Sequence, residues 1–103
     1  MSRPLAIQEV VMIGPVQSVV LSSSAAVKGG PGVVYGLILT AGADAASVVL
    51  YDNTSGATPK LIGTVKAAIN TSVEVSFPNG VAFGTGCYAT ITGTTPDVTV
   101  LYS

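Results

Sequence analysis

The side chains able to do chemistry are few and scattered. Five carboxylates (Glu9, Asp44, Asp52, Glu74, Asp97) face four cations (Arg3, Lys28, Lys60, Lys66), with one cysteine, Cys87, and no histidine, for a net charge of −1. Without histidine there is no Ser-His-Asp or Cys-His catalysis, no imidazole metal ligand and no proton transfer near neutral pH. Two carboxylates working as acid and base must lie within about 10 Å of each other, and the closest pair in sequence, Asp44 and Asp52, falls at opposite ends of one expected strand. The residues therefore predict a protein that is not an enzyme and holds no cofactor or metal.

The weaker candidates each have a simpler reading. Asp52-Asn53-Thr54 concentrates the hard oxygen ligands that calcium takes, but the run ends a strand and reads as an Asx turn. Gly29-Gly30-Pro31-Gly32 and Gly84-Thr85-Gly86 precede neither a helix pattern nor a Lys-Ser/Thr pair, so they are turns and not phosphate cradles. Asn53-Thr54-Ser55 and Asn70-Thr71-Ser72 match the glycosylation sequon without a secretion signal. Cys87, beside Tyr88 and with no cationic neighbour, reads as a buried inert thiol that can form no internal disulfide. Tyr35, Tyr51, Tyr88 and Tyr102 could stack on sugars, but with no Trp the expectation is packing.

Short strands must position these groups. Valine supplies 16 of the 103 residues and threonine 11, and β-branched side chains suit a pleated, half-buried surface. Turn signals recur at short intervals, which indicates a sandwich or barrel. The expected strands are Ala6–Ile13, Val16–Ser22, Val33–Thr40, Ser47–Tyr51, Leu61–Val65, Ser72–Phe77, Val81–Phe83, Tyr88–Thr92 and Val98–Tyr102. Ser23–Gly32 reads as loop, Pro78-Asn79-Gly80 as a turn, and Ala41–Ala46 or Ala67–Ile69 as the only places for a short helical turn. Alternation is clearest in Ser72–Phe77, with Val73, Val75 and Phe77 on one face and Ser72, Glu74 and Ser76 on the other. It recurs as Val98, Val100 and Tyr102 against Thr99 and Leu101, the period of one-sided burial. Val33–Leu39 and Val48–Tyr51 are apolar on both sides, which predicts central strands covered on each face. The expected fold is an all-β, single-domain antiparallel β-sandwich, jelly-roll-like, of eight or nine short strands. Residues 1–14 form an N-terminal arm or first strand, and 15–103 the sandwich.

Composition narrows the partners. Charged residues make up 9% and hydrophobic ones 49%, against roughly 25% charged in an ordinary domain. Such a chain has ample apolar surface to bury, which excludes disorder, and its length suits one domain. Four scattered cations cannot neutralise several phosphates at once, so nucleic acid is not expected. Leu5–Leu21 is interrupted by Gln8, Glu9, Gly14, Pro15 and Gln17, so neither a spanning helix nor a signal peptide is read and no membrane is expected. A surface so short of charge is expected to be covered by other subunits.

Four segments carry a family resemblance: Gly30–Leu37 (GPGVVYGL), Val48–Gly56 (VVLYDNTSG), Phe77–Tyr88 (FPNGVAFGTGCY) and Thr92–Tyr102 (TGTTPDVTVLY). In this order, over about 70% of the chain, they resemble small structural proteins of tailed bacteriophages. The pattern usually has an aliphatic residue where this chain has Cys87, a change that keeps the position apolar. The resemblance implies a β-sandwich virion protein of the capsid decoration or cement type, often trimeric. It would bind the major capsid protein at the capsid surface after assembly in the host cytoplasm. The alternative it implies is a head-fibre, neck or tail module binding a host receptor or glycan, with Asn53, Asn79 and Tyr51 as the contributing residues. Leu5, Ile7, Val10, Val11, Met12 and Ile13 of the arm are the candidate interface. They either add a strand to, or lie across, a neighbouring subunit, or form the first strand of the sandwich itself.

Overall fold

The computed structural model describes residues 16–55 and 58–103. The arm residues Leu5, Ile7, Val10, Val11, Met12 and Ile13, and the expected strand Ala6–Ile13, lie outside the described residues. Eight strands follow in order: β1 (Gln17–Leu21), β2 (Ala25–Lys28), β3 (Gly32–Thr40), β4 (Ala46–Tyr51), β5 (Val65–Ala67), β6 (Ser72–Phe83), β7 (Cys87–Thr92) and β8 (Asp97–Tyr102).

They form two four-stranded sheets, sheet A in the order β1-β8-β3-β6 and sheet B in the order β2-β7-β4-β5. All neighbours are antiparallel. The first strand pairs with the last, the second with the seventh, the third with the sixth and the fourth with the fifth, as in a long ribbon folded over and rolled up. That is the arrangement of a jelly roll, which gives a closed pair of layers from one chain. The expected sandwich is the fold, with eight strands among the described residues.

The core lies between the sheets. Val34, Leu37, Leu39, Val98 and Val100 from sheet A meet Val48, Leu50, Cys87 and Ala89 from sheet B, all at 1% exposure or less, with Phe83 closing one end. The alternations expected in β6 and β8 hold. Val73, Val75 and Phe77 pack against the core while Ser72, Glu74 and Ser76 are exposed, and Val98 and Val100 are buried.

Four expectations are corrected. Ala25–Lys28, read as loop, is the edge strand β2. Four residues with one large apolar side chain show no period, and it is pairing with β7 and the burial of Val27 that make them a strand. The Ser24 hydroxyl extends that ladder, accepting the Ile91 N–H at 2.8 Å and donating to the Ile91 carbonyl at 3.3 Å. Leu61–Val65 is not a strand: Leu61 and Ile62 pack on the core from an irregular segment whose N–H groups both reach the Leu50 carbonyl. β5 starts at Val65, so Ala67, a candidate for a helical turn, sits in a strand opposite Ala46.

Pro78-Asn79-Gly80 does not divide two strands. β6 continues through it, and four residues, 77–80, stand opposite Tyr35 alone in the register with β3. Gly80, at φ +74°, makes this excursion possible, and a Cβ there would overlap Val33 and crowd the Tyr35 ring. The fourth correction bears on function. β3 and β4 are central in their sheets, but among the described residues they are covered on one face only, since each layer has a partner on just one side. Val33, Tyr35, Val49 and Tyr51 are half-buried, and Ile38 is 36% exposed.

Candidate functional surface

Asp52, Asp44 and Cys87 serve the structure. The Asp52 carboxylate, just after β4, reaches across to the β6–β7 turn, where the Gly84 N–H donates to both its oxygens at 3.1 Å and the Thr85 N–H donates to Oδ1 at 2.9 Å. The Gly86 N–H approaches Oδ1 at 3.5 Å. Hydrogen bonds to the charged form favour it, and those from Thr85 and Gly84, in that order of weight, hold the Asp52 carboxyl below the usual carboxylate range. Within the run Asp52-Asn53-Thr54, read as an Asx turn, Asn53 Oδ1 accepts the N–H of the next residue, Thr54, at 2.7 Å, one residue on and not the two of an Asx turn, and its amide donates to the Thr58 carbonyl at 3.0 Å. At the opposite end of β4, the Thr94 hydroxyl donates to Asp44 at 2.6 Å. The two acids are separated by the strand, as the sequence implied.

Cys87, the first residue of β7, is fully buried. Burial, helped by the nearby Asp52 charge, pushes its thiol up to about 11. A thiolate is what reacts, so this cysteine is a small core residue. No group of three or more His, Cys, Asp or Glu side chains suited to a metal occurs among the described residues. No cavity of ligand size is found among them either.

The residues named for glycan recognition do not converge. Tyr51 faces outward from sheet B, directly opposite Tyr88, and Asn53 follows it with both amide atoms engaged. Asn79 lies in β6, in the other sheet. The register-matched Tyr51–Tyr88 pair was not legible from sequence, because no spacing rule links residues 37 positions apart before the strand order is known.

Among the described residues, what the fold leaves open is its two outer faces. On sheet A, Val20 stands opposite Thr99, Thr99 opposite Ile38, and Ile38 opposite Glu74, while Ser18 stands opposite Leu101. Val20 is 63% exposed. On sheet B the outward positions are Ser47, Val49 and Tyr51 against Thr92, Thr90 and Tyr88. One hydroxyl pair on each face is satisfied within it: Thr40 and Ser72 share a hydrogen bond at 2.9 Å on sheet A, and Ser47 bonds Thr92 on sheet B.

Among the described residues the exposed charges on the strands differ between the faces, while Asp44 and Asp52 flank β4 of sheet B and Lys28 ends β2. Glu74 and Asp97 are the charged outward residues of the sheet A strands, Glu74 on the edge strand β6 and Asp97 at the first position of β8. Lys66, opposite Ser47, and Lys60, opposite Tyr51, lie on the sheet B side. Exposed side chains at all four positions put these charges in solvent. Sequence reasoning had found the shortage of charge but not this difference, which depends on which strands share a sheet.

No family model, curated protein or solved structure matches the chain. Among the described residues no helix is long and apolar enough to cross a membrane.

Proposed function

We propose that this chain is a structural virion protein that decorates and stabilises a tailed-bacteriophage capsid by non-covalent binding between capsid subunits. The observation that carries the reading is the pair of outer faces that no other described residues cover: central strands with apolar side chains on both sides, in a sandwich that buries only one side. An interaction made only by the assembled shell stabilises that shell by mass action. Faces of Ser, Thr and aliphatic side chains suit this because they bury area without desolvating ions. The choice of a phage capsid among possible large assemblies comes from the four resembling segments, Gly30–Leu37, Val48–Gly56, Phe77–Tyr88 and Thr92–Tyr102.

The partner in this reading is the major capsid protein and the place the capsid surface, reached from the host cytoplasm during assembly. The working form is a homo-oligomer, a trimer by the same resemblance. The apolar arm residues Leu5, Ile7, Val10, Val11, Met12 and Ile13 supply a second contact with a neighbouring subunit. The test is co-sedimentation of the purified chain with heads of the parent phage assembled without it. Saturable binding that raises the heads' resistance to heat is expected. Failure to co-sediment, together with binding on a glycan array, would replace this reading with the fibre or tail module. Deleting residues 1–13 should weaken head binding, and undiminished binding would remove the arm from the interface.

A further inference from the structure

We propose that Asn79 is a self-modification site of the folded chain, where the backbone nitrogen of Gly80 converts the carboxamide to aspartate and isoaspartate with release of ammonia. The chain has three asparagines, Asn53, Asn70 and Asn79, and only Asn79 is followed by glycine. A side chain on the following residue hinders attack by its nitrogen, and threonine, branched at Cβ, follows both Asn53 and Asn70. Hydrogen bonds separate the three further. The Asn53 amide donates to the Thr58 carbonyl at 3.0 Å. The Thr71 N–H, the group that would attack Asn70, donates to the Ala68 carbonyl at 3.1 Å. Asn79 is exposed, and no hydrogen bond among the described residues holds its carboxamide.

Place in the fold keeps the pair within reach of each other and of water. β6 is an edge strand, and among the described residues it pairs only with β3. Residues 77–80 stand opposite Tyr35 alone, so neither Asn79 nor Gly80 has a partner of its own across the ladder. Solvent-exposed backbone outside a regular ladder is where local motion concentrates. The same excursion retains the glycine: Gly80 sits at φ +74°, and a Cβ there would overlap Val33. The fold thus cannot take at position 80 the side chain that would slow the reaction. In the reaction the Gly80 nitrogen, its proton taken by solvent base, attacks Cγ of Asn79. A C–N bond forms, the Cγ–Nδ2 bond breaks, and Nδ2 leaves as ammonia with a proton from water. Water then opens the five-membered imide. Breaking the new bond at Cγ gives aspartate, and breaking the original peptide bond gives isoaspartate, whose backbone runs through Cγ. Either product adds a carboxylate to the edge strand that already carries Glu74 and takes the net charge from −1 to −2.

The chemistry is independent of the capsid reading and is tested on the purified full chain alone. Samples held at neutral and mildly alkaline pH, native and in urea, are followed by fragmentation mass spectrometry, with isoaspartate counted by an isoaspartyl methyltransferase. Conversion at Asn79 in the native chain should be at least about tenfold faster than at Asn53 or Asn70, should quicken with pH, and should stay within about tenfold of its rate in urea. Isoelectric focusing should show one more acidic species, which Asn79→Gln abolishes while melting with the wild-type chain. Native conversion no faster at Asn79 than at the other two asparagines would overturn the proposal. So would a gap between native and urea rates larger than about tenfold, since the fold would then hold the pair out of reach.

Discussion

Val20 and Val100 offer a direct measure of how differently the two sides of sheet A are solvated. They lie on neighbouring paired strands, β1 and β8, with Val19 opposite Val100 and Val20 opposite Thr99, so the two valines point to opposite faces. Val100 is fully buried and Val20 is 63% exposed. Val→Thr changes a methyl to a hydroxyl at nearly constant volume and keeps a β-branched residue, so propensity and packing barely change. At Val100 the new hydroxyl is buried without a partner, at a cost of about 1–3 kcal/mol. At Val20 water supplies the partner and the change stays within about 0.5 kcal/mol. For a domain of this size each kcal/mol moves Tm by about 4–8 °C. Val100→Thr should therefore melt at least about 4 °C lower than the wild-type chain, while Val20→Thr stays within about 4 °C of it. Urea unfolding of both variants, followed by far-UV circular dichroism at two protein concentrations, provides the check. Equal destabilisation by the two substitutions would mean that the outer face is already covered in the isolated chain, and the argument for a free docking face would collapse.

Protonating Asp52 removes the acceptor that holds the β6–β7 turn. Its folded pKa lies below the ordinary value, so its contribution is present above the ordinary carboxylate range and is lost as pH falls through the depressed value. A melting profile against pH should lose this acid-side decline in Asp52→Asn, and an unchanged profile would show that the hydrogen bonds to Gly84 and Thr85 carry no linkage. Cys87 works in the opposite sense: its thiol is raised from 9.0 to about 11, so stability should fall as pH rises through that interval. Cys87→Ala should lack that fall, and the native thiol should react with a disulfide reagent only on unfolding; rapid labelling of the native chain would contradict its burial. Gly80→Ala should destabilise by about 2–3 kcal/mol, combining the left-handed backbone cost with the overlap on Val33. Adding Val33→Ala should return only the overlap part, and a double-mutant cycle in urea that shows no coupling would place the cost elsewhere.

The fold class was legible because it depends on local chemistry. Val73, Val75 and Phe77 alternate with Ser72, Glu74 and Ser76, and Val98 and Val100 with Thr99 and Leu101, and a two-residue period admits only a strand with one buried face. The absence of histidine and the single cysteine are likewise read from composition alone. β2 was illegible because Ala25–Lys28 is too short to show a period and is held by its partner β7. The excursion at residues 77–80 resembled an ordinary turn, since Pro-Asn-Gly is turn chemistry whether the chain reverses or only bulges.

Asp52 shows the same limit at a single side chain. Its sequence neighbours suggested a local turn, but its hydrogen-bond donors are more than 30 positions away at Gly84 and Thr85. The candidate face depends most on tertiary structure. Sequence alone determined that too few charges exist to solvate this surface and that β3 and β4 are apolar on both sides. Only the rolled pairing of first strand with last and third with sixth decided that Val20, Thr99, Ile38 and Glu74 form one row across sheet A. The same pairing put Lys66 on the other sheet. Side-chain direction is a property of the strand and can be read from two residues, whereas the neighbours across a sheet are set by strand order, which no short segment contains.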